Sequence, residues 1–138
     1  MSYKLHVSNS IISSLIEHAD NSLPLESVAL LFGVIEEDNF FVSEVHCVPN
    51  AANSSTTFFV EPELQYRLMM DAESRGFTMV GIFHSHPSKS PTFPSTTDLK
   101  NMMLNPVVWI VASKQPSSWS YAAFLYINEE IIEVEIVC

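Results

Sequence analysis

The chain is predicted to be an α/β protein, with a mixed β-sheet sandwiched by helices. Three observations predict it. Apolar residues Ile11, Ile12, Leu15 and Ile16 recur at helical spacing behind a capping serine, Ser8. Two near-continuous apolar runs, Val28 to Ile35 and Phe77 to Phe83, read as strands buried on both faces. The last stretch, Ile132-Glu133-Val134-Glu135-Ile136-Val137, alternates with period two, the mark of a strand with one wet face. Helices interspersed with strands call for a sheet layered with helices.

In order, Ser8 starts a helix that runs through about His18. Strands follow at about 27–35 and 40–48. Residues 50–57, rich in Asn, Ser and Thr, form a loop. A second helix spans Glu61 to Arg75, with Pro62 in its first turn and Leu64, Leu68 and Met69 turned inward. The strand Phe77–Phe83 comes next, bounded by Gly76 and Pro87, then a Ser- and Pro-rich loop from Pro87 to Pro94. Ser95 caps a third helix that reaches about Leu104. Strands recur at about 107–112, 120–127 and 131–137, the last two joined by the turn Asn128-Glu129-Glu130. Charge on the final strand marks it as an exposed sheet edge blunted against aggregation. Of the Met pairs Met69-Met70 and Met102-Met103, core filling is the expected use, and Trp109 and Trp119 are expected to be packed aromatics.

At 138 residues, 47% of them hydrophobic, the chain is read as one domain, 1–138, with room for a sizeable core. It has no apolar run of about 18 residues, so no membrane span is expected. Its start lacks the charged and apolar regions of a signal peptide, which makes a cytoplasmic location the default expectation. Sixteen acidic against six basic residues give a formal net charge of −10, which argues against nucleic-acid or anionic-membrane partners. Two cysteines are few for a secreted scaffold. Cys47 is expected to be a small buried apolar residue, Cys138 is terminal, and nothing argues for a bond between them. His6 and His18 are expected to stand alone at the surface.

The chemistry concentrates in His84-Ser85-His86-Pro87 and in Asp98 of Pro94-Ser95-Thr96-Thr97-Asp98. On a strand, residues i and i+2 face the same way, so two imidazoles can converge. A helix would splay them, and the helical H-E-x-x-H arrangement does not occur in this sequence. Asp98 falls in the first turn of a helix, where it can turn back toward the strand end. Two imidazoles and a carboxylate form a three-ligand set for a catalytic zinc, which keeps a fourth position for water. Each piece also has a plainer reading: a half-exposed His pair, and a capping pattern at a helix start. Hydrolysis needs a further carboxylate that stays off the metal and moves protons. Glu26, at the mouth of the Val28–Ile35 strand, is the candidate, although from this segment alone a solvated Glu before a strand is the favoured reading. Phe93, between the ligands in sequence, either lines a substrate channel or packs within its loop.

Taken together, Glu26 before Ala29-Leu30-Leu31-Phe32-Gly33, then His84-Ser85-His86-Pro87, then Ser95-Thr96-Thr97-Asp98 resemble the JAMM (MPN-plus) metalloprotease family. Its pattern is a Glu ahead of such a strand, H-S-H-P, and S-x-x-D. Asn50, Ser54, Phe58 and Glu61-Pro62 look like a further segment of the family, with Glu61 where Asp is usual. The match spans nearly the whole chain, and one departure is a loop from His86 to Asp98 that looks one residue longer. The resemblance implies the family's cytidine-deaminase-like fold and one zinc per chain held by His84, His86 and Asp98. It implies Glu26 as general base and Ser95 as a donor to the developing oxyanion or the attacking water. The implied substrate is the amide after the C-terminal glycine of a ubiquitin-like protein. Two further readings remain: release of cysteine or a short peptide from a sulfur-carrier protein, and a non-catalytic scaffold, against which the intact ligand set argues.

Overall fold

Lys4–His6 is too short to show any periodicity, yet it decides the architecture. The computed structural model describes residues 2–88 and 91–138. Its elements are β1 (Lys4–His6), α1 (Asn9–Ser22), β2 (Val28–Glu36), β3 (Asn39–Val48), α2 (Pro62–Ser74), β4 (Thr78–His86), α3 (Thr96–Leu104), β5 (Val108–Lys114), β6 (Trp119–Ile127) and β7 (Glu130–Val137). The strands run in the order β1-β3-β2-β4-β5-β6-β7 and close into a barrel. β1 pairs in parallel with β3 on one side, Leu5 opposite Phe40, and with β7 on the other, Leu5 opposite Ile136. β4 and β5 are parallel, and the remaining pairs are antiparallel.

This corrects the expected architecture. The sheet is mixed, but it is not an open sheet sandwiched by helices. β1 supplies hydrogen bonds to both strands that would otherwise be edges, so the sheet closes on itself. The expectation that the last strand is a free edge fails in part, since β7 pairs with β6 over Glu130–Val134 and then with β1 over Glu135–Val137.

The apolar runs explain the burial. On β2, Ala29 and Leu31 join the cluster around Leu5, Leu15, Phe83 and Ile110, which also takes Ile12 and Ala19 of α1. Val28, Leu30 and Phe32 point the other way, into a second cluster with Ile82, Trp109, Met102 and Ala72. Thus β2 is buried on both faces from Val28 to Gly33, while Val34 and Ile35 are exposed. At the bulge between Phe32 and Gly33 the neighbouring strand comes so close that a Cβ on Gly33 would sit 1.7 Å from the Phe41 carbonyl oxygen.

Local signals mostly hold. Ser8 caps α1, its Oγ accepting from the Ile11 amide, and the helix runs four residues past His18 to Ser22. Pro62 opens α2. Of the four methionines in the two pairs, only Met102 fills the core; Met69, Met70 and Met103 are exposed. Trp109 is fully buried. Cys47, expected inside, is exposed and unbonded, as is Cys138. His6 and His18 are half-buried and bonded, to Asn39 and to the Val28 carbonyl. Among the described residues, no helix is long and apolar enough to cross a membrane. The loop from His86 to Asp98, expected to be one residue longer by an insertion before Ser95, includes Lys89 and Ser90, which lie outside the described residues.

Candidate metal centre

β4 carries His84 and His86 on one face and Ser85 on the opposite one, as strand alternation requires. Ser85 Oγ accepts from the Ser27 amide at 2.9 Å and lies 2.7 Å from Ser27 Oγ, while the Ser85 amide donates to the Ser27 carbonyl at 3.1 Å. Both serines are buried. These three hydrogen bonds between strand ends set the mouth of β2, and so Glu26, beside the two histidines.

Asp98 arrives from α3. Ser95 and Asp98 form a capping box: the Asp98 amide donates to Ser95 Oγ at 3.1 Å, and the Ser95 amide donates to Asp98 Oδ2 at 2.8 Å. The capping reading and the ligand reading therefore describe one side chain. Asp98 Oδ2 lies 2.9 Å from His84 Nε2 and 3.1 Å from His86 Nε2, and the two Nε2 atoms are 3.2 Å apart. These three atoms make a nearly equilateral triangle. Donors at 2.0–2.1 Å from a tetrahedral zinc would stand roughly 3.3 Å apart, so the triangle fits such an ion closely. His84, His86 and Asp98 are all buried and could together hold a metal.

The imidazoles are held differently. His86 Nδ1 faces the Pro91 carbonyl at 3.4 Å, which favours the tautomer with a lone pair on Nε2. The His84 ring is flanked by Phe58, 5.2 Å between centroids, and Trp109, 5.8 Å, and its Nδ1 is buried without a hydrogen-bond partner. Burial works to raise the Asp98 carboxyl, but hydrogen bonds from His84 and His86 outweigh it and hold Asp98 well below the ordinary carboxylate range. Burial works against protonation of His86, but Asp98 outweighs it and raises the imidazole.

Glu26 is the counterpart. It is only 4% exposed, and its Oε1 has no hydrogen-bond partner. Burial first, and the nearby Asp98 charge second, push its carboxyl up to about 7, with His86 pulling the other way. Its backbone is pinned from both sides: the Glu26 amide donates to the Ser54 carbonyl at 2.9 Å, and Asn50 Nδ2 donates to the Glu26 carbonyl at 3.1 Å. Asn50 also donates to the Thr57 carbonyl and accepts from the Ala52 and Phe59 amides, so one amide side chain organises the 50–59 loop. Sequence reasoning quoted Asn50 but gave it no role, and missed the Ser27–Ser85 pair. The signal for Asn50 was its neighbourhood: an amide in a loop can serve several backbone groups at once.

Glu26, His86 and Ser95 line a cleft of about 250 Å³ together with Thr56, Pro91 and Phe93. Phe93 lines the cleft and packs edge-on against Phe124 of β6, 5.2 Å between centroids, rather than within its own loop. A larger groove of about 380 Å³ lies on the far side of Phe58 and Trp109, but no His, Asp or Glu lines it. The titratable side chains lie at the smaller cleft.

Fold and site together define a closed-barrel protein with a buried two-His, one-carboxylate centre at a cleft and an unpartnered carboxylate beside it. The chain belongs to the family of prokaryotic homologs of the JAB domain, whose model matches residues 8–123, and the JAMM/MPN resemblance is thereby borne out. It is similar to a desampylase of Pyrococcus furiosus, 33% identical over 118 residues, 85% of this chain and 79% of that protein. A desampylase of Haloferax volcanii is 32% identical over 106 residues, 76% of this chain and 74% of that one. Among solved structures, a protein of Desulfitobacterium hafniense matches with a TM-score of 0.84 at 28% identity, covering 96% of this chain and 91% of that one.

Proposed function

We propose that the chain is a zinc-dependent isopeptidase that cleaves the amide after the C-terminal glycine of a ubiquitin-like protein. The observation that carries this reading is the triangle of His84, His86 and Asp98 donors set beside a buried Glu26 raised to about 7. Two relatives are desampylases, which supports a ubiquitin-like substrate.

His84, His86 and Asp98 would hold the ion. Zinc bound there lowers the pKa of water and polarises a carbonyl. The remaining roles fall to the chain's own groups. Glu26, poised near neutrality with one oxygen unengaged, takes a proton from the attacking water and returns it to the leaving amine. Ser95 Oγ accepts from the Asp98 amide, which leaves its hydroxyl hydrogen free to donate into the cleft, toward charge that develops only in the transition state. The cleft walls restrict water, which strengthens each of these interactions.

The test is cleavage of a ubiquitin-like Gly-Gly-lysine isopeptide, with and without a zinc chelator, beside Glu26→Ala. Chelator-sensitive release that Glu26→Ala abolishes, with zinc content unchanged, is expected. Turnover retained in that variant removes Glu26 as the base; no release by zinc-loaded protein moves the substrate to a sulfur-carrier protein.

A further inference from the structure

Thr92 lies in the cleft loop, immediately after Pro91, and its side chain turns away from the cleft. Thr92 Oγ1 is in hydrogen-bonding contact with both Ser113 Oγ, at the end of β5, and Ser120 Oγ, at the start of β6. Ser113 and Ser120 face each other across the β5–β6 ladder, their oxygens 3.4 Å apart, and Gln115 Nε2 donates to Ser120 Oγ at 3.2 Å. Ser113 is fully buried. A hydroxyl supplies one donor and two acceptor sites, so Thr92 Oγ1 can donate to one serine and accept from the other, tying the loop to both strands.

What this clasp fixes is next to it. The Pro91 carbonyl is the group that faces His86 Nδ1, and at 3.4 Å the contact is at the long limit of a hydrogen bond. A contact that long does not by itself anchor the loop, and the described anchors of Pro91 are its neighbours in the chain. On one side lie Thr92, tied to two barrel strands, and Phe93, set edge-on against Phe124. The barrel thus holds the loop, the loop holds a carbonyl, and the carbonyl sets the ring orientation and tautomer of His86.

We propose that Thr92 is a positioning residue for the metal centre: through Ser113 and Ser120 it holds the Pro91 carbonyl against His86 Nδ1 and so presents His86 Nε2 to the ion. This inference rests on the ligand assignment of the proposed function. Partners that orient a ligating histidine change metal affinity typically tenfold to hundredfold when removed.

The experiment measures metal binding by the full chain, with no substrate: zinc affinity by competition with a chromophoric chelator, and the visible spectrum after loading with cobalt. Thr92→Val keeps the side-chain shape and removes the hydroxyl; Thr92→Ser restores it; Ser120→Ala removes one partner. Thr92→Val is expected to weaken zinc binding about tenfold to hundredfold and to alter the cobalt spectrum. Thr92→Ser should return both to within about threefold of the unmodified chain. Urea unfolding of the metal-free proteins separates positioning from general loosening. Wild-type affinity and spectrum in Thr92→Val overturn the proposal, as does a Thr92→Ser protein as impaired as Thr92→Val. If Thr92→Val does not fold, Ser120→Ala decides, with the same two readouts and the same reversal. Failure of the unmodified chain to bind zinc at all counts against the ligand set itself, which distinguishes the two claims.

Discussion

Glu26 stores a pH-dependent instability that can be measured without any substrate. Its carboxyl is raised from an ordinary 4.5 to about 7 in the folded chain, chiefly by burial. A raised carboxyl favours folding while protonated, so its contribution is fully present below about 4.5 and is lost as pH climbs through about 7. At about 1.4 kcal/mol per pH unit the loss is ~3 kcal/mol, most of it between pH 5 and pH 8. Glu26→Gln keeps the shape and cannot ionise. In metal-free protein, urea unfolding followed by the buried Trp109 should therefore show the variant gaining on wild type by ~2–3 kcal/mol from pH 5 to pH 8. For a chain of this size that is a relative midpoint shift of roughly 1–2 M urea. Zinc, whose charge favours the carboxylate, should shrink the effect. A difference that stays flat across this range refutes the claim that Glu26 is desolvated and unpartnered.

Asp98→Ala should lose zinc binding by at least about a hundredfold in chelator competition, since it removes one of three donors and also the side-chain half of the Ser95 capping box. Gly33→Ala should cost about 3 kcal/mol or more in urea unfolding, because the new Cβ would meet the Phe41 carbonyl at 1.7 Å. Ser85→Ala should cost about 1–3 kcal/mol, leaving the Ser27 amide and hydroxyl buried without their partner. Asn50→Ala frees several backbone groups around Glu26 and should lower turnover more than it lowers zinc affinity, measured side by side.

The site was more legible than the architecture, for physical reasons. Strand alternation alone puts His84 and His86 on one face, and helix capping alone puts Asp98 at a first turn, so short-range rules brought these residues together. Glu26 was legible as a carboxylate at a strand mouth, but its desolvation comes from the 50–59 loop folding over it, which no local pattern encodes. The barrel closure was illegible because three residues carry no period. It depends on pairing Lys4–His6 with Asn39–Phe41 and with Glu135–Val137, contacts far apart in sequence. Cys47 and the exposed methionines were misread because apolar character was taken for burial, and a chain this rich in apolar residues must leave some of them in water.

The parallel seam between β1 and β7 joins the first strand of the fold to the last. During synthesis β1 cannot complete its pairing until Glu135–Val137 has left the ribosome, so strand edges stay unpaired until the last strand of the fold is available. Closing that seam spans the longest loop the fold contains, and such long-range pairing is slow. The barrel is therefore a structure that locks late, and its vulnerability to misassembly is concentrated in the interval before the lock engages.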